Sequence, residues 1–591
     1  MGPETRNCKN CNHDFTIEPE DFGFYEKIKV PPPTFCPECR CVRRMTWRNE
    51  RALYRRESLD GKNVITCFSP ESGVNIYDRD YWWSDKWDPL SYGVEYDFDQ
   101  PFFLQYRKLL SRVPMPALFL SRATNSDYCN HTGEAKNCYL SHACWSIEDS
   151  NYVAKCGNVK DSQDLLNVTN SELAYEGISS IKIAHSFYVQ NSENCTNSAF
   201  LYQCKGCNDC FGCTNLRGKS HYFFNQPYSK EEYENKLREL DLGSHENVLK
   251  AKKKFEELKL KTVRKYANLQ KTENTTGDNV SEANNCKACF DFWGGIRDCK
   301  FCINGGVHLN DAYDGYGIGE TSELLYESVD TGANGTRFLF DIFVWGGHNV
   351  EYGYASHGCQ NIFACIGLRN KQHCILNKQY TKEEYEVLVP KIIEHMNAMP
   401  YTDKQGRIYK YGEFFPSDLS PFSYNETIAQ EYFPLTKAEA LTQGYRFKDP
   451  ETKQYNVALE PQNLPDHIKD VDDSILNEVI GCAHKGSCNH QCITAFKLIP
   501  AELQFYKRMN LPLPRLCPNC RHYERLAQRN PLRLWKRKCQ CSGIKSENGT
   551  YQNTASHQHG TNSCPHEFET SYAPGRPEIV YCETCYNLEV V

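Results

Sequence analysis

Long apolar runs are missing: nowhere in the 591 residues does one approach the ~18 that a membrane helix needs. A large charge of one sign is missing as well. The formal net charge is -7, so the chain is no global polycation. Residues Met1 to Asn12 lack an apolar leader core, and Arg6 stands where a myristoylation signal would carry Ser or Thr. The usual catalytic loops are also absent, with no Walker-type lysine loop, G-x-S-x-G elbow or HExxH. The expectation is a non-enzymatic cytoplasmic protein with no membrane partner.

What is there is aromatic and rich in sulfur. The sequence is 40% hydrophobic with 37 Tyr and 30 Phe, which argues against disorder, and its length implies several domains. It holds 32 cysteines, many in CxxC pairs. Without a leader, such pairing favours a reducing compartment and bound zinc over disulfides.

Cys488 to Asn530 is a second writing of Cys8 to Asn49. Each has a cysteine pair, 24 residues and then CPxCR: Cys11 to Cys36, and Cys492 to Cys517. Phe15, Phe24-Tyr25, Pro31 and Pro33 match Phe496, Phe505-Tyr506, Pro512 and Pro514. Four thiolates satisfy a closed tetrahedral site, so Cys8, Cys11, Cys36 and Cys39 form one expected zinc set. Cys488, Cys492, Cys517 and Cys520 form the second, with Cys482 as a competitor for one place. A third set is Cys539, Cys541, Cys582 and Cys585, where Cys564 or His566 can replace one ligand. His557 and His559 read as a surface loop. The expected complement is about three structural zinc ions per chain.

Both CPxCR turns run into basic segments that read as helices. Residues 40–56 hold seven arginines and one glutamate; residues 515–538 hold eight Arg or Lys against Glu524 alone. Arginine pairs bidentately with phosphate. Arg40, Arg43, Arg44, Arg48 and Arg51, with Arg521, Arg525, Arg529 and Arg533, are therefore candidate nucleic-acid contacts. The competing expectation is that they bond within the chain, for instance to the acidic 78–100 segment. The Trp82-Trp83 and Trp87 cluster reads as a docking core ahead of a stacking platform for a sugar or base.

CxxC, Phe, Phe-Tyr, Pro and CPxCRxxRR resemble the zinc-ribbon (treble-clef-like) domain family over roughly 40 residues at each end. The whole layout resembles cysteine-rich zinc-ribbon/β-solenoid proteins of small-genome bacteria. The resemblance implies a structural zinc and assigns no activity.

Between the modules a short unit recurs irregularly, a small polar residue followed by Tyr, Cys or Phe, as at Asn137-Cys138-Tyr139 and His185-Ser186-Phe187. Leu216 to Glu234 repeats as Leu368 to Glu386 at a constant offset of 152. Ser229 to Glu232 and Thr381 to Glu384 are capping boxes, so each array is expected to end in a helix. Cys204, Cys207, Cys210 and Cys213, and Cys286, Cys289, Cys299 and Cys302, suit a ladder of buried thiols better than a metal.

The expected fold is multidomain and mainly β: two β-solenoid arrays joined by helices and flanked by treble-clef or zinc-ribbon modules. The expected divisions are a first module at 1–56, an aromatic docking segment at 57–127 and a first array at 128–226. A helical hairpin at 227–280, a second array at 281–378, a helix at 379–400 and a connector at 401–480 follow, then modules at 481–538 and 539–591. The favoured function is binding of nucleic acid, RNA or a ribonucleoprotein ahead of duplex DNA, through the paired arginine segments. The alternatives are a non-enzymatic protein-interaction scaffold and a carbohydrate-active β-helix enzyme using residues such as Asp291, Asp298, Asp311, Asp314, Asp341, His308, His348 and His357.

Overall fold

The structure, a computed structural model, describes residues 2–449, 455–542, 551–560 and 562–591. It is mainly β, with two large, mostly parallel sheets, small antiparallel pairs and several helices. Two compact units emerge, each made of two separate stretches: Met1–Phe119 with Ala267–Lys448, and Leu120–Tyr266 with Asp449–Val591. Among the described residues, no helix is long and apolar enough to cross a membrane.

The sheet of the second unit has 11 strands and runs from Leu120 to Pro227. Its parallel pairs hold one register: Leu120 opposes Thr132, Gly133 opposes Trp145, Trp145 opposes Gly157 and Leu166 opposes Ile178. Backbone with positive φ recurs at every third residue from His131 to Phe224. Asn, Asp and Gly tolerate that conformation best, which explains Asn158, Asp161, Asp164, Asn167 and Asn170 in succession.

The residue after each of these corners turns inward, so Cys138, Ser141, Cys144, Ile147, Ser150 and Val153 are all buried. Small polar side chains suit this interior because they serve the backbone. Ser162 Oγ donates to the Lys160 carbonyl at 2.7 Å and accepts the Ala174 N–H, 12 residues on, at 3.1 Å. Ser180 and Ser192 accept the N–H groups of Ser192 and Cys204 in the same way. Buried backbone donors are thereby satisfied where the strand ladder does not reach them.

The sheet of the first unit has 10 strands between Leu269 and Gln379. Its register is less even: Leu269 opposes Val280, Gly277 opposes Cys289, Phe290 opposes Ile303 and Trp345 opposes His357. Irregularities at Ser281/Ala283 and Gly332/Gly335 take up the extra residues. At Gly319, φ is +151° and a Cβ would stand 1.8 Å from the Gly306 carbonyl, so only glycine fits. The core is a column of Val280, Phe292, Leu309, Leu325, Val344 and Ile362 with interleaved cysteines.

Helices Lys230–Leu240 and Lys382–Ala398 start at the two capping boxes read from the sequence. A further helix, His245–Leu260, follows the first of these. The second ladder starts at Leu269, inside the stretch expected to be helical, because Gly277–Asn284 already pairs with Cys289–Lys300.

Candidate metal centres and arginine clusters

Each cysteine module sets a hairpin-like turn against the first turn of a helix. In the first, strands Glu4–Asn7 and Asp14–Ile17 pair antiparallel, and Cys8 and Cys11 lie in their turn. Cys36 caps helix Pro37–Met45, Cys517 caps Pro518–Ala527 and Cys582 caps Glu583–Val590, with φ between -61° and -65° in all three. Proline at the first helical position suits the first two, since that N–H has no helical partner. The helix N-terminus favours thiolate at the CxxC pair.

One hydrogen bond identifies equivalent ligands. The N–H of Cys36 donates to Cys8 Sγ at 3.2 Å, that of Cys517 to Cys482 Sγ at 3.3 Å, and that of Cys582 to Cys539 Sγ at 3.2 Å. Cys8, Cys482 and Cys539 thus occupy one structural place. The metal-competent groups are Cys8, Cys11, Cys36 and Cys39; Cys482, Cys492, Cys517 and Cys520; and Cys539, Cys564, Cys582 and Cys585.

The first group is the set expected from the sequence. In the second, Cys482 takes the place given to Cys488, which sits instead with His484, His490 and Cys520. In the third, Cys564 replaces Cys541, which sits with His557, His559 and Cys585. The surface-loop reading of the two histidines is also corrected: His557 is buried and bound to Glu589. Spacing misled in both cases because the chain between the paired donors is long enough to carry extra cysteines past the first site.

The donor sets fit a tetrahedral metal. Bonds of about 2.3 Å to sulfur imply S···S edges of about 3.8 Å. Cys11 to Cys36 is 3.8 Å, Cys482 to Cys520 is 3.8 Å and Cys564 to Cys582 is 3.9 Å. Hydrogen bonds from Cys482 and Cys520 hold the Cys517 thiol well below its ordinary value, and Cys539 does the same for Cys582. An ion held by four sulfurs would keep no position open, which suits a structural role over a catalytic one.

The arrays' own cysteines behave differently. Cys204, Cys207, Cys210 and Cys213 direct their thiols to the carbonyls of Cys213, Leu216, Lys219 and Tyr222 at 3.5–3.6 Å. Among the described residues, neither these nor Cys286, Cys289, Cys299 and Cys302 enter a metal-competent group.

The arginines meet carboxylates of their own unit. Arg40 and Arg44 lie 2.8 and 3.1 Å from Asp314, Arg43 and Arg44 lie 2.6 and 2.8 Å from Glu327, and Arg43 also reaches Glu413 at 2.7 Å. All six side chains are at most 5% exposed. Burial alone would lower the Arg40 guanidinium, but Asp314 holds it above its ordinary value. Arg48 bonds Glu50 and Asp330 at 2.7 and 3.0 Å, and Arg51 is half-buried 3.7 Å from Glu431.

The second module repeats the arrangement. Arg521 and Arg525 each lie 2.9 Å from Asp164, and Arg525 is 2.7 Å from Glu176. Asp314 with Glu327, and Asp164 with Glu176, are in each case one register step apart at positive-φ corners. Two arginines one helical turn apart therefore bridge two successive strands. The neighbouring aromatics match too: Tyr25 meets Tyr326 edge-on at 5.5 Å, and Tyr506 meets Tyr175 edge-on at 5.7 Å.

This placement corrects the phosphate-contact expectation for Arg40, Arg43, Arg44, Arg48, Arg521 and Arg525, whose guanidinium groups are buried in ion pairs. The partners lie in the two large sheets, with Glu50, Glu413 and Glu431 beside them, and not in the 78–100 segment. Nor is either basic segment one helix. The first ends at Met45, where Asn49 Oδ1 accepts the N–H of Arg51 and Ala52 in a turn, and Tyr54–Glu57 is a strand. The second ends at Ala527; Arg529 is half-buried and Arg533 is exposed, its guanidinium 5.5 Å from the Trp535 ring.

The remaining candidates are engaged singly. Trp82 and Trp87 are buried, donating to the carbonyls of Pro114 and Trp82. Asp298 accepts from Asn285, Asp311 pairs with Lys27, and Asp341 accepts the Gly353 N–H. His357 is buried against Trp83, and burial lowers it to about 3. No protein-family model matches the chain, and no curated protein is similar enough to count as a match.

Proposed function

We propose that this is a non-enzymatic interaction scaffold made of two β-solenoids, each braced on its flank by a treble-clef-like zinc module. The constant 12-residue register of one ladder and the near-constant register of the other support the solenoid reading, as do the corners at every third residue. The all-thiolate donor sets and their edge lengths support zinc over harder ions.

One observation carries the choice of scaffold over nucleic-acid binder: the arginines of both twin modules are engaged by buried array carboxylates. A phosphate reader would have to break those pairs. What each array offers a partner is rows of polar side chains repeated at the inter-strand spacing, such as Lys136, Glu148 and Lys160, or Asn125, Asn137 and Asp149.

The test is fluorescence anisotropy of a labelled structured RNA against the full-length protein at 50 and 200 mM salt. No salt-dependent binding is expected. Binding that tightens by orders of magnitude at the lower salt would restore the nucleic-acid reading.

A further inference from the structure

Beyond the three four-cysteine groups, two further groups lie against the C-terminal pair. His484, Cys488, His490 and Cys520 form one; Cys541, His557, His559 and Cys585 form the other. Each contains two cysteines and two histidines, and each shares one cysteine with its four-cysteine neighbour. The shared residue holds the same place in both modules, third in the CxxC helix after its capping cysteine.

We propose that each C-terminal module is a binuclear zinc centre in which one thiolate, Cys520 or Cys585, bridges two ions. The inference rests on the zinc reading of the modules and extends it. Three observations support it independently.

The first is geometry. Cys520 Sγ is 3.8 Å from Cys482 and 3.7 Å from Cys488, one tetrahedral edge from a ligand of each site. For a mixed pair, bonds of about 2.0 and 2.3 Å imply N···S edges of about 3.5 Å. Cys541 lies 3.2 Å from His557 Nδ1 and 3.4 Å from His559 Nε2, and that same Nε2 is 3.4 Å from Cys585.

The second is the state of the imidazoles. A ligating histidine donates its other N–H to an acceptor. His557 Nε2 meets Glu589 at 2.8 Å, and His559 Nδ1 meets the Asn562 carbonyl at 2.6 Å, leaving the opposite nitrogens to face sulfur. In the other module, Nδ1 of both His484 and His490 is buried with no hydrogen-bond partner. An ion at each site would take up these lone pairs.

The third is an internal control. Two residues separate Cys8 from Cys11, nine separate Cys482 from Cys492, and 24 separate Cys539 from Cys564. All the additional donors lie in those two insertions. The first module has no insertion and no second group among the described residues. Sharing one thiolate also lets five thiolates neutralise two dications to a single negative charge, whereas four around one ion leave two. Both ions remain four-coordinate and closed, so the centres are structural.

Zinc per chain, measured by mass spectrometry on full-length protein purified from zinc-supplemented cells, is expected at about five. His484→Ala with His490→Ala, and separately His557→Ala with His559→Ala, should each lower the count by about one and leave the four-cysteine sites filled. In ¹¹³Cd-loaded protein, two pairs of resonances should show metal–metal coupling through the bridging sulfur. About three ions, unchanged in the histidine variants, would overturn the binuclear centres while leaving the zinc reading intact. Five ions without coupling would overturn the bridge. No bound zinc at all would overturn the zinc reading itself.

Discussion

Glu327 is the carboxylate on which the docking of the first module should depend most. It is fully buried, 2.6 Å from Arg43 and 2.8 Å from Arg44, with Arg40 at 4.0 Å. Three guanidinium groups face Asp314, Glu327 and Glu413, so the cluster is balanced in charge. Glu327→Gln keeps the shape and removes one negative charge, leaving Arg43 with Glu413 and Arg44 with Asp314. Breaking a buried pair by removing one partner costs about 3–5 kcal/mol, because the remaining charge has no water to turn to. The melting transition of that unit should fall by on the order of 10 °C. The twin substitution Glu176→Gln should cost less, since Glu176 is 18% exposed and Arg525 keeps Asp164. Thermal and urea unfolding, followed by tryptophan fluorescence, give both values. A loss below about 1 kcal/mol for Glu327→Gln would refute the buried-cluster argument.

Other expectations follow from the same contacts. Removing metal with a strong chelator should unfold the cysteine modules while the parallel ladders keep their far-UV circular dichroism; simultaneous loss of both would show that the arrays depend on the metal. Ser162→Ala leaves the Ala174 N–H without its acceptor and should cost about 1–3 kcal/mol, measured by urea unfolding. Cys207→Ser and Cys210→Ser should leave the metal count unchanged, since both thiols bond carbonyls. Burial raises Asp341 well above the ordinary carboxylate range, against the Gly353 N–H that lowers it. A raised folded pKa gives stability that is complete below the unfolded value of about 4 and is lost as pH rises through the folded one. Asp341→Asn should therefore gain on the parent as pH increases across that window, and parallel stability–pH curves would contradict this.

Local signals in the sequence survived into the structure, and long-range ones did not. The cysteine pairs and the capping boxes at Ser229 and Thr381 were legible because their information lies within a few residues, and the duplication at an offset of 152 because its two copies keep many of the same residues. The period of the first ladder was also present but misread. From Thr132 to Cys213 every third residue is Ser, Cys, Thr, Ala, Gly, Val, Leu or Ile, and each is buried. Larger Tyr and Phe residues sit beside the inward column and mask its period. The second donor groups were not legible because His484, His490, His557 and His559 join their cysteines through insertions of different length. In-chain pairing of the arginines was legible as one of two expectations, but the partners were not: Arg43 and Arg44 meet Glu327 across more than 280 residues of chain.

Arginine accessibility in the native, metal-loaded chain tests the central claim most directly. Phenylglyoxal modification read residue by residue by mass spectrometry compares buried and exposed guanidinium groups in one sample. Arg40, Arg44, Arg521 and Arg525 should stay unmodified while Arg122 and Arg508, 65% and 51% exposed, react. Modification of the four at the rate of Arg122 would mean that they face solvent and are free to meet a phosphate backbone.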